Sequence, residues 1–350
     1  MKIAVITDIH IGARSDSLLF CKHQLRFFNE IFIPYLKENN ITTIICMGDL
    51  FDRRKFTNHA ILHEWKKEVF DRLTEFDFHL ILGNHDIAYR NSLKVNSPSL
   101  FLNEYQNIVL YDEPKEIVFD DLSVLMCPWI CLENEQQSKK FLAESKSKVV
   151  FGHFEINGFE MHRGQVATDG YEQSLFGGFD FVFSGHFHHR SSNGPIHYIG
   201  NPYDLSWADF NDHRGFAVFD TSTLDFEYVD NPFKVHSKFY YDDKNKGQEY
   251  YKGFNLDGLE DCFVKVVVVN KTDLYQFDQF LNRLYSIKLA DLKIIEEFDA
   301  LEADQVSDEK IDLEDTMTLM DTYLDSVELD GDKDKLKSLL KGLYLEASRL

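Results

Sequence analysis

His79-Leu80-Ile81-Leu82-Gly83-Asn84-His85-Asp86 reads as a short apolar strand that breaks at a glycine and runs into residue types able to bind metal or move protons. Alone it proves little, because Gly, Asn and Asp favour turns for backbone reasons. The same arrangement recurs along the chain. Residues 2–8 predict an apolar strand ending in Asp8-Ile9-His10, where positions i and i+2 of extended chain point to one side. Residues 42–47 predict another, running into Gly48-Asp49-Leu50-Phe51-Asp52. Strands at 148–151 and 179–183 then deliver Gly152-His153 and Ser184-Gly185-His186-Phe187-His188-His189.

Between these strands the apolar period lengthens. A helix is expected over 23–38, with Leu25, Phe28, Phe32 and Leu36 on one face and a bend at Pro34; others are expected over about 58–74 and 136–146. Residues 115–126 read as a hairpin turning at Asp120-Asp121, and strands at 195–199, 215–220 and 225–229 close the domain. The sum is a mixed α/β domain over 1–235, two facing sheets flanked by helices. Polar residues 236–253 read as a linker and 254–300 as a small α+β unit of strand, helix and strand. An acidic linker over 301–312 leads to two amphipathic helices within 313–350: Leu313, Met317, Met320 and Leu324 share a face of the first, and Leu336, Leu340, Leu343 and Ala347 share a face of the second.

Of the 350 residues, 44% are hydrophobic, enough for one large core and a smaller one, and no apolar run reaches membrane-spanning length. With a strand expected from residue 2, no signal peptide is read and a cytoplasmic protein is expected. Five scattered cysteines, an odd number without zinc spacing, suggest reduced thiols. A net charge of −22 argues against a nucleic-acid partner, but residues 290–350 carry 18 acids against 7 bases, which is half of that excess. The body of the chain is therefore only moderately acidic.

Five strand ends supply Asp8 and His10, Asp49 and Asp52, Asn84 and His85, His153, and His186 and His188. Two divalent ions about 3.5–4 Å apart need about seven or eight N and O donors, and this set provides them. The ordered blocks Asp-x-His, Gly-Asp-x-x-Asp, Gly-Asn-His-Asp, Gly-His and Gly-His-x-His resemble the calcineurin-like binuclear metallophosphoesterases. The resemblance implies that Asp8, His10, Asp49 and His188 bind one ion and Asn84, His153 and His186 the other, with Asp49 bridging. It also implies a metal-activated water as nucleophile and His85 as general acid oriented by Asp52. Asp86 reads as a cap or supporting partner, His189 as a solvated loop residue, and Trp129, between Cys127 and Cys131, as core.

Beyond the metal blocks, Ile11-Gly12 after His10, the segment Gly152 to Phe159, and Gly200-Asn201-Pro202 make the chain similar to the nuclease subunits of SbcCD-type DNA repair and recombination complexes, above all their bacteriophage version. That likeness implies a DNA exo- or endonuclease preferring manganese, with magnesium as the alternative. It further implies a homodimer joined through 313–350 to an SMC-like coiled-coil ATPase, the 254–300 unit as a capping domain, and, for a phage protein, the host cytoplasm as its location. Arg14, Arg53, Arg54, Lys55, Arg90, Arg163 and Arg190 are candidate phosphate contacts. Two other readings compete. A metallophosphatase or nucleotide phosphodiesterase would need no partner-binding tail, and a non-catalytic scaffold would lack ligands, of which none is missing.

Overall fold

The computed structural model describes residues 1–296. Two six-stranded sheets form its centre. The first runs in the order Phe226–Asp230, Gly215–Asp220, Lys2–Ile6, Thr43–Cys46, Asp77–Ile81 and Ile108–Tyr111. Its last four strands are parallel, and the first two are antiparallel additions at one edge. The second runs Ser191–Asn193, Ile196–Tyr198, Phe181–Gly185, Val149–His153, Leu122–Cys127 and Lys115–Phe119, with a parallel centre and antiparallel edges.

Alternate residues of each strand serve different cores. Ile3, Val5, Ile45, Met47 and Ile81 pack against Val124, Met126, Val149, Phe151 and Phe183 of the other sheet. Ala4, Ile6, Ile44, Cys46, Phe78 and Leu80 face helices instead, together with Phe28, Phe32, Leu36 and Trp65. Both faces are covered, so these strands read as continuous apolar runs.

The expected helix over 23–38 begins earlier, at Leu18, and is not uniform. An α-helix over Leu18–Phe27 passes into a π-helical turn over Phe28–Phe32 and resumes over Ile33–Glu38. Pro34 gives the reason: it has no N–H to donate and its ring crowds the carbonyl four residues back, so the preceding turn widens and the Ile33 N–H reaches Phe28 O. Asn58 caps the next helix, His59–Glu68, accepting from the amides of Ala60 and Ile61.

Residues 236–253 are not a linker. His236–Asp242 is a strand pairing in parallel with Phe263–Asn270, and Gln248–Lys252 is a short helix. With Leu274–Tyr285 and Asp291–Glu296 they form a three-stranded unit around Tyr241, Val264, Val266, Phe277, Phe280 and Leu284. The misreading came from Asp242 to Gly247, a polar turn whose preceding strand finds its partner only after residue 262. The expected acidic linker and tail helices lie outside the described residues. All five cysteines are buried and unpaired, and no helix among the described residues is long and apolar enough to cross a membrane.

Candidate metal centre

The carboxyl ends of Lys2–Ile6, Thr43–Cys46 and Asp77–Ile81 in one sheet meet those of Val149–His153 and Phe181–Gly185 in the other. Backbone hydrogen bonds lock the first two loops side by side: the amides of Asp8, His10 and Ile11 donate to the carbonyls of Gly48, Asp49 and Leu50. Extended geometry at Asp8 and His10, expected from the sequence, is absent. Both residues are left-handed, at φ 52° and 51°, as are Asp49 at 51° and His186 at 87°. Non-glycine residues in that region cost of order 1–3 kcal/mol each, so the strain collects where candidate ligands are aimed.

Glycines allow the close approach. A Cβ on Gly83 would lie 2.2 Å from Asp49 Oδ1, and one on Gly185 would lie 2.0 Å from Thr7 Oγ1. Thr7 Oγ1 donates to Asp8 Oδ2 at 2.8 Å, so space at Gly185 fixes the Asp8 carboxylate at one remove. Asp86 is fully buried and accepts from the amides of Phe51 and Gly83, tying the second loop to the third. It caps no helix.

Two donor groups result. In one, His10 Nε2 lies 3.2 Å from His188 Nε2 and 3.9 Å from Asp8 Oδ1, and His188 Nε2 lies 3.8 Å from Asp8 Oδ1. In the other, Asn84 Oδ1 lies 3.0 Å from His153 Nε2 and 2.9 Å from His186 Nδ1. Asp49 Oδ2 stands between them, 3.9 Å from His10 Nε2 and 3.4 Å from His153 Nε2. All seven sequence-expected ligands are therefore gathered within reach of one another.

The chemistry of this set suits cations. His153 Nδ1 donates to Met47 O at 2.7 Å, which leaves Nε2 pointing its lone pair at two oxygens. Only a proton or a metal ion reconciles acceptors that face one another in this way. Protons can do so: burial opposes a charge on His153, yet Asp49 and Asp8 lift its pKa to about 9. Burial likewise opposes a charge on His10, and Asp52, Asp49 and Asp8 raise it to about 9. Burial would raise Asp49, but His153, His85 and His10 hold it well below the usual carboxylate range. Burial and the neighbouring His153 push His186 down to about 3, so it stays a neutral donor.

His85, half-buried beside the centre, is anchored differently from expectation. Its Nδ1 donates to the backbone carbonyl of Asp52 at 2.5 Å, while the Asp52 carboxylate lies 3.3 Å from His10 Nδ1. Asp52 therefore orients His85 through its main chain. Trp129, expected as core, is half-buried with its ring 5.1 Å from that of His186. Its position directly after a strand, like that of every metal loop, was the signal available. Arg214 is also new: buried, it donates to His188 O and Asn201 Oδ1 and pairs with Asp209 and Asp212. Nothing local in the sequence distinguishes it. Among the basic candidates, Arg53 pairs with Asp16 and Arg190 with Asp230, each at 2.8 Å. Arg54 is half-buried, its pKa lowered by burial and by Arg90, and neither has an acidic partner among the described residues. Arg14, Lys55 and Arg163 are exposed.

Residues 1–190, which contain every one of these ligands, match the model of the calcineurin-like phosphoesterase family. The chain belongs to that family. Calcineurin-like phosphoesterases use divalent metals, and the Asp8–His10–His188 and Asp49–His153–His186 groups have the donor chemistry for them. The chain is 32% identical to "Exonuclease subunit 1" of Enterobacteria phage T4, over 100% of both chains. It is 23% identical to a subunit of the nuclease SbcCD of Staphylococcus saprophyticus, over 62% of this chain and 65% of that protein.

Proposed function

We propose that this phosphoesterase is a metal-dependent DNA nuclease that hydrolyses phosphodiester bonds, with Asp8, His10, Asp49 and His188 holding one ion, Asn84, His153 and His186 the other, and Asp49 bridging. The observation that carries the reading is Asp49 Oδ2, a single oxygen facing both nitrogen groups. When bound, two divalent ions supply Lewis acidity and a water acidic enough to attack phosphorus. Four imidazoles in the set favour manganese over magnesium, which prefers oxygen ligands.

The chain's own residues supply the rest. Asp49 Oδ1 accepts the His85 amide at 2.7 Å, so the acid is fixed relative to the bridging carboxylate. The Nδ1–H bond to Asp52 O leaves His85 Nε2 as the atom that hands a proton to the leaving oxygen. Arg14, Arg54, Lys55, Arg90 and Arg163 have no acid partner among the described residues and are the better phosphate contacts; Arg53 and Arg190 are already neutralised.

The names of both relatives, each one component of a nuclease, support nucleic acid as substrate and a partner protein. We assign the partner as an SMC-like ATPase bound through 313–350, to a homodimer working in the cytoplasm. The deciding experiment is a manganese-supplemented assay of linear and circular DNA beside a panel of nucleotides, with and without Asp49→Ala. DNA cleavage abolished by the substitution is expected. Nucleotide hydrolysis without DNA cleavage would instead identify a nucleotide phosphodiesterase.

A further inference from the structure

Beside the metal centre lies a cavity of about 710 Å³, bordered by the 160–164 loop, by His189 and Arg190, by 204–214, and by 231–236. Its size suits a nucleotide-sized ligand. It opens one residue beyond His188, and Arg214 in its wall donates to the His188 carbonyl, so the two sites share a loop.

The acids around this cavity are already engaged. Asp212 accepts from His189 at 2.7 Å and from Arg214 at 2.9 Å, Glu160 lies 3.3 Å from His189, and Asp204 accepts the His236 amide at 3.4 Å. Several donors are not. Arg214 is only 5% exposed, and its Nε, 3.9 Å from Asp204, has no hydrogen-bond partner. The buried Nη2 of Arg190, whose Nη1 pairs with Asp230, is in the same state. At the rim, exposed Arg163 and Lys234 have no acidic partner among the described residues.

Buried N–H groups without acceptors are costly, because they have given up water and gained no partner. Water can relieve them, but it does not neutralise two rim cations. A ligand rich in acceptor oxygens and carrying negative charge does both. In a chain with an overall charge of −22, a pocket of uncompensated donors and cations next to the catalytic loop stands out.

We infer that this cavity is a second phosphate-binding subsite, which takes a nucleotide phosphate of the same strand whose scissile bond lies at the Asp49 centre. The assignment rests on the nuclease reading and adds to it a place for a neighbouring nucleotide. Strand binding here also loads the loop that carries His188, through Arg214.

The test uses the full chain with manganese and single-stranded oligonucleotides lengthened one nucleotide at a time on either side of the cleaved bond. At the length that first reaches the cavity, kcat/KM should step up roughly tenfold, equivalent to about 1.4 kcal/mol, mostly through KM. In R163Q and K234Q, exposed substitutions that leave the core untouched, the ratio between long and short substrates should fall towards one, and the salt dependence of binding should flatten by about one phosphate contact per charge removed. A wild-type chain that cuts all lengths equally well, or variants that keep the full step, would overturn the subsite and leave the nuclease reading standing. Binding of free ATP that R163Q weakens, without any length dependence, would overturn the strand assignment in favour of a free nucleotide. No cleavage of any oligonucleotide by the wild-type chain would overturn both readings.

Discussion

Asp49 combines a strained backbone, an acceptor role towards the His85 amide and a second oxygen shared by two imidazole groups, and each role depends on the absence of a side chain at Gly83. The metal-free cluster balances its carboxylates with protons on His10 and His153, whose pKa values stand at about 9. Metal uptake must expel those protons. Apparent metal affinity should therefore rise as pH rises towards about 9 and weaken as it falls, with proton release at neutral pH. Manganese titration calorimetry in buffers of different ionisation heat measures this directly, and a heat independent of buffer would contradict it. His85 is a separate case, because it touches Asp49 through its amide and not its ring. His85→Ala should keep two bound ions by metal analysis and lose about 10²–10⁴-fold in kcat; loss of an ion would make His85 a ligand. The identities of these residues were legible in the sequence. Their left-handed conformations were not, nor was the use of Asp52's carbonyl in place of its carboxylate, since both follow from which loop lies alongside.

Elements repeat the lesson. The strands that feed the metal loops were legible because each is a short apolar run ending at Gly or Asp, and their two-sided burial explains why they do not alternate; Ile108–Tyr111 at the edge of the first sheet was not. Helix ends depend on single side chains. Asn58→Ala removes the cap of His59–Glu68, a helix that buries Ile61, Leu62 and Trp65, and should cost about 1 kcal/mol, a fall of roughly 2–4 °C in Tm, with metal content unchanged. Gly185→Ala should behave oppositely in the second readout. Its methyl would collide with Thr7 Oγ1, the donor to Asp8, so both thermal stability and metal stoichiometry should fall. Normal metal binding in that variant would show that the Thr7 contact does not matter to Asp8. The strand at His236–Asp242 escaped reading because its pairing partner is distant in sequence, and a polar stretch beside it carried a turn signal.

Over the whole molecule, the small unit is fastened to the catalytic body by Lys22 with Asp261, by His23 with the Asp261 carbonyl at 2.9 Å, and by Phe20 against Phe263, ring centroids 5.5 Å apart. That anchoring lies within the described residues and makes no use of the tail. Truncation before residue 310 should accordingly leave a folded enzyme with an unchanged melting curve while abolishing ATPase capture in a pull-down; retained capture would remove the tail from the interface. What the sequence determined by itself was the alternation of strands and loops and the kind of donor at each strand end, because both are written in local runs of residue type. How the donor loops lock side by side, how Asp52 holds His85, and that Arg214, Trp129 and a donor-lined cavity adjoin the centre were decided only by tertiary structure. Those relations are distances between atoms contributed by strands of two different sheets, and packing, not local chemistry, sets them.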